Sequence, residues 1–133
     1  KVDPVITLTK TANLNFGDVF AGASAGHVIL SPKGTRTTTG GLLLGTLSPV
    51  SAAGFSVNGA ANCTYAIVLP ASIILTGPAG TMVVSTFTST PAAAGLLGMT
   101  GQQQLDVGAT LNVAANQADG DYSGTFAVTV AYN

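Results

Sequence analysis

Glutamate and tryptophan are missing from this chain altogether, and there is a single cysteine, Cys63, so no disulfide can form within it. Four basic and five acidic residues, all the acids aspartate, give a net charge of −1 over 133 residues. Charged residues make up 7% of the chain, against roughly 25% in an ordinary domain. Without a basic stripe there is nothing to displace counterions from phosphates, which argues against nucleic acid as a partner. No apolar run approaches the roughly 18 to 20 residues that span a bilayer, so no transmembrane segment is expected. Nor does any stretch hold an apolar period of 3.6 residues between helix caps, so little helix is expected. With no Trp and only three Tyr, all at positions that read as core, the chain has few aromatics to stack on a sugar.

What remains is 47% hydrophobic, with 17 glycines and abundant Thr, Ser, Ala and Val, a mixture suited to strands and turns. Pro and Gly divide the chain into short β-rich runs: VITLTK, LNFGDVF, HVILS, GLLLGTL, AGFSVNG, TYAIVLP, SIILTG, TMVVSTFT, QLDVGATLNV and SGTFAVTVAYN. Many short strands separated by turn signals define an all-β sandwich or barrel of one domain. The segment TPAAAGLLGMTG reads as a loop because of its glycines. From Thr37 to Leu105 no residue is charged. A surface this neutral favours association with copies of itself over solitary existence.

Candidate chemistry is sparse. TGGLLLGT lacks the glycine spacing of a nucleotide loop and no helix follows it. DGDYSG places Asp119, Asp121, Ser123 and Gly124 where a calcium loop has its first, third, fifth and sixth residues. The twelfth position is Val130, however, so a polar turn entering the last strand is the simpler reading. His27 shares a strand face with Ile29, opposite Val28 and Leu30. Ser24, Ser31 and Asp18 could complete a catalytic set on paper, but no nucleophile elbow positions them, and His27 reads as a surface residue. PKGTRTTTGG, with Lys33 and Arg36, reads as a solvated hairpin tip. Cys63 shares a face with Tyr65, Ile67 and Leu69 and reads as a buried thiol. Asn62 opens a formal glycosylation sequon, NCT. No enzyme, cofactor or metal site is expected.

The two ends carry the clearest pattern. From Tyr122 the even positions are Tyr122, Gly124, Phe126, Val128, Val130 and Tyr132, and the odd ones are small or polar, which is the period of a half-buried strand. Nothing after Asn133 covers this strand, so a partner is expected from elsewhere. At the other end Val2, Pro4, Ile6 and Leu8 share one face of an extended segment, and Pro4 suits an edge because it lacks a donor. The chain opens on Lys1 in place of Met, which suits a processed, secreted form.

The blocks LNFGDVFAG, AAGFSVNGAANCTYAIVLP and GDYSGTFAVTVAYN together resemble a family of small bacterial secreted β domains of uncharacterised function. That family is similar to the spore-coat-protein-U-like pilins of archaic chaperone–usher systems. The resemblance implies an immunoglobulin-like β-sandwich that is incomplete and is completed by an N-terminal donor strand from a neighbouring subunit. It divides the chain into a donor segment, residues 1–11, and a pilin-like domain, residues 12–133. Carried over by position, the donor residues are Val2, Pro4, Ile6 and Leu8, and the acceptor groove is flanked by Phe126, Val128, Val130 and Tyr132. The implied function is a structural subunit of an extracellular, cell-surface filament, secreted through the periplasm and built as a head-to-tail homopolymer. A periplasmic chaperone and an outer-membrane usher are the implied assembly partners, since an open edge invites aggregation before assembly. The single cysteine and the shortness of the N-terminal segment depart from that family's pattern. The alternative is a self-complemented secreted sandwich serving as a coat protein or carbohydrate-binding module, with residues 1–9 paired to its own Phe126–Tyr132 strand.

Overall fold

Alternating apolar residues and frequent turn formers become twelve strands and no helix in the computed structural model, which describes all 133 residues, Lys1–Asn133. In chain order these are β1 (Thr7–Ala12), β2 (Val19–Phe20), β3 (Gly26–Leu30), β4 (Arg36–Thr39), β5 (Leu43–Leu44) and β6 (Ala53–Asn58). They continue as β7 (Thr64–Val68), β8 (Ser72–Thr76), β9 (Thr81–Thr90), β10 (Ala94–Leu96), β11 (Gln102–Val113) and β12 (Thr129–Tyr132). No helix is long and apolar enough to cross a membrane.

β11 organises the large, seven-stranded sheet. One of its edges pairs with β6 through Gln102–Val107 and then with β3 through Ala109–Val113, while the other edge pairs with β9. Gly108 stands at the changeover. A Cβ there would lie 2.1 Å from the Leu30 carbonyl oxygen, so only glycine lets the two partners of β11 meet end to end. β1 extends the sheet beyond β6, β4 beyond β3, and β8 beyond β9. A smaller sheet, β10-β7-β12, and the pair β2-β5 complete the all-β, sandwich-like architecture.

The curl of the large sheet has a local cause in β9. Its register against β11 shifts between Gly108 and Thr110, and Thr86 sits in the left-handed region at φ 51°. This bulge changes which parity faces inward: Met82 and Val84 point to the core before it, Phe87 after it. Simple alternation would have turned Thr86 inward.

The core has two halves. Phe16, Val28, Leu30, Leu42, Val84 and Leu111 anchor one, and Phe55, Val57, Tyr65, Leu97, Leu105 and Val107 anchor the other. Phe87 and Leu14 pack against both and join them. Each fully buried side chain of this kind contributes about 1.5–3 kcal/mol relative to exposure. Polar side chains are excluded from the buried set.

Several local expectations are corrected by the structure. PKGTRTTTGG is not a solvated tip: Arg36–Thr39 form β4, and the Arg36 guanidinium donates to the carbonyls of Phe16, Asp18 and Gly45 at 2.8–3.1 Å. Beside the short β2-β5 pair the guanidinium satisfies the Phe16 and Gly45 carbonyls and adds a second bond to the Asp18 carbonyl, which already accepts from the Gly45 amide. Part of the expected loop TPAAAGLLGMTG is β10, because Gly95 lies against the ring of Tyr65 where any side chain would collide. LNFGDVF contributes only β2 and a bridge from Asn15 to Ser51. Cys63 is half-buried and free.

Candidate functional site

The closing run behaves as a strand that changes sheets. The Asp119–Asp121 turn is exposed and held by Tyr122, whose hydroxyl donates to the Ala118 carbonyl at 2.5 Å and accepts from Gln117 Nε2 at 3.1 Å. Ser123 then bridges Thr76 at the end of β8, and Thr129–Tyr132 pair with Tyr65–Val68 of β7. Between these two anchorages, Gly124 passes so close to the Ile74 carbonyl of β8 that a Cβ there would lie 2.8 Å from its oxygen, and Gly124–Val128 belong to no strand. Residues 124–128 make no backbone–backbone hydrogen bond within the chain.

The side-chain alternation survives that loss of pairing. Phe126, Val128 and Val130 are half-buried and pack on the second half of the core, while Thr125, Ala127, Thr129 and Ala131 are exposed. Phe126 meets Phe87 with ring centroids 5.1 Å apart at 42°, a tilted aromatic contact. Tyr132, read from sequence as core, is 36% exposed. It sits opposite Tyr65, at the far end of β12.

The N-terminal segment approaches the same place. Leu8 lies opposite the buried Val57 in β1, and Ile6 and Leu8 pack on the same half of the core as Phe126, Val128 and Val130. The ladder partner of residues 7–12 is β6, so residues 1–9 do not pair with the chain's own Phe126–Tyr132 strand, and β1 runs across the expected boundary between residues 11 and 12. Residues 1–6 make no backbone–backbone hydrogen bond. Val2 is 96% exposed and Pro4 is exposed as well. Lys10, exposed and opposite Phe55, places a charge at the end of the apolar column on this edge strand.

β1 ends the large sheet and β12 ends the small one, so both have an unpaired outer edge. One hydrogen bond spans the seam between the chain ends: the Tyr132 hydroxyl donates to the Pro4 carbonyl at 2.6 Å. The same hydroxyl accepts from the Ala60 amide at 2.8 Å. Gly59 permits this approach, because a Cβ there would lie 2.4 Å from the Tyr132 oxygen. An open cleft of about 450 Å³ follows, lined by Asp3, Asn62, Cys63, Thr64, Tyr132 and Asn133. Lys1 and Asp3 form an exposed ion pair at 3.0 Å, and the carboxylate beside it raises the Lys1 ammonium above its ordinary pKa.

Elsewhere the side chains are committed to structure. His27 is exposed, its Nδ1 bonded to Thr39 Oγ1 at 3.0 Å. The Asp18 carboxylate accepts from the amides of Leu47 and Ser48 and from the Ser48 hydroxyl, and Ser31 bonds Thr35, so His27, Ser31 and Asp18 are not brought together. No group of three or more His, Cys, Asp or Glu side chains is placed to hold a metal. Sequence reasoning missed the Tyr132–Pro4 contact, for which a separation of 128 positions leaves no local signal.

Fold and seam together define an all-β sandwich-like domain with two unpaired strand edges beside its chain ends. The chain belongs to the family described as "Domain of unknown function (DUF4402)", whose pattern matches residues 6–132. No curated protein and no solved structure matches the chain.

Proposed function

We propose that this chain is a structural subunit of an extracellular surface filament, an immunoglobulin-like sandwich assembled by donor-strand exchange as in the archaic chaperone–usher pilins it resembles. The observation that carries the reading is the stretch Gly124–Val128. It is extended, turns Phe126 and Val128 toward the core, and leaves its own backbone groups without partners in the chain. A strand from a second copy would satisfy those groups, with Val2, Pro4, Ile6 and Leu8 laid over Phe126, Val128, Val130 and Tyr132. The nearly complete exposure of Val2 supports this, since the residue has no pocket in its own chain. The contact is head to tail, so repetition gives an open filament. A periplasmic chaperone and an outer-membrane usher belong to the same proposal, as shields for the open edge before assembly.

One observation favours a second reading. β1 is paired with its own β6, though not with its own Phe126–Tyr132 strand, and Ile6 and Leu8 pack in their own core, which suits a secreted coat protein or carbohydrate-binding module that keeps its N-terminal strand to itself. A denaturing gel of natively produced protein, with and without boiling in reductant, separates the two. The filament reading expects a ladder of multimers that collapses to one band on heating. A single monomer band without heating would overturn it and leave the self-complemented domain.

A further inference from the structure

We infer that the Tyr132 hydroxyl is a latch that holds residues 1–6 against their own chain, and that its release frees this segment to reach a second copy. The inference rests on the strand-donation reading for its second half only. The latch itself stands on geometry at the seam.

Residues 1–6 have no ladder to hold them. Beyond the packing of Ile6, the contact that fixes them to the body of the domain is the bond from Tyr132 to the Pro4 carbonyl. Lys1 and Asp3 bond each other and do not tether the segment elsewhere. Pro4 is suited to a latch: it contributes an acceptor but no donor, so its carbonyl is held while its nitrogen makes no competing ladder bond. The tyrosine is held in turn, because the Ala60 amide donates to its oxygen and Gly59 leaves room for it. The occupant of the seam is therefore a segment that every copy carries. A segment that fits the seam in its own chain also fits it in a neighbour, which makes a second copy the competing occupant. The hydroxyl sets how often the segment is free to exchange.

The test uses the full chain and Tyr132→Phe, which keeps the ring and removes only the hydroxyl. The heteronuclear NOE of the Val2, Asp3, Val5 and Ile6 amides is measured alongside the rate of heat-sensitive multimer formation. The expected result is a fall in the NOE at these four amides and multimer formation faster by about fivefold, the factor carried by one net hydrogen bond. Gly59→Ala, which displaces the hydroxyl from the other side, should produce the same pair of changes. A synthetic peptide of residues 1–11 should cap the multimers of either variant, which non-specific aggregation of a loosened domain would not allow. An unchanged NOE in Tyr132→Phe overturns the latch. A lowered NOE with no multimers from wild type or variant upholds the latch and overturns strand donation. Faster multimers that the peptide leaves uncapped overturn the link between them.

Discussion

Tyr65 and Tyr132 face each other across β7 and β12 yet live in opposite environments. Tyr65 is fully buried over Gly95, and its hydroxyl donates to Gln103 Oε1, which also accepts from the Leu96 amide. Burial disfavours the phenolate and raises the Tyr65 pKa above its ordinary 10.0. The folded state therefore holds this proton more tightly than the unfolded chain. The resulting stability is fully present below about pH 10 and is lost as pH rises through the raised value. Thermal unfolding should accordingly show a Tm that falls above about pH 10. Tyr65→Phe should flatten that alkaline fall while lowering stability at neutral pH by about 1 kcal/mol for the lost hydrogen bond. An equally steep fall in the variant would assign the titration to another group.

β9 shows how one irregular position redirects a whole strand. Thr86, a β-branched residue at φ 51°, occupies a region that such residues rarely adopt, and the strand keeps it because the shift aims Phe87 into the joint between the two halves of the core. Phe87 also supplies the ring against which Phe126 rests, so the unpaired stretch 124–128 is held by side chains in place of a ladder. Phe87→Ala should cost about 3 kcal/mol in urea unfolding, the lower part of the range for such deletions because the ring is half-buried. It should also loosen the closing segment, read as faster proteolysis between Ser123 and Thr129, whereas a change confined to global stability would deny the ring its positioning role.

Association of the whole molecule should be governed by apolar contact and backbone pairing, since Thr37–Leu105 contribute no charge and the net charge is −1. The rate of multimer formation should change by less than about twofold between low and high salt, because screening has few surface charges on which to act. A steep salt dependence would instead give the charges of the contact, Lys1, Asp3 and Lys10 of the N-terminal segment or the Asp119–Asp121 turn, the controlling part. The same neutrality explains why an unpaired edge matters so much here. On β1 itself Lys10 is the only charge that discourages unwanted pairing, and it guards only the end of the apolar column.

The amino-acid pattern by itself determined the all-β class, most strand positions and the faces of β3, where Val28 and Leu30 are buried and His27 and Ile29 are not. These follow from a period of two residues, which is written locally in the chain. The alternation of Phe126, Val128 and Val130 was legible for the same reason. Which strands pair was not legible, because pairing depends on residues far apart in sequence. Hence the partner of β1 proved to be β6, and the unpaired stretch lay in the middle of the closing run. Arg36 looked like a solvated loop residue until three distant carbonyls were brought around it. The bulge at Thr86 and the bond from Tyr132 to Pro4 were likewise decided only in three dimensions. A register shift is set by the neighbouring strand, and a contact across the seam exists only once both chain ends have been folded to the same side of the sandwich.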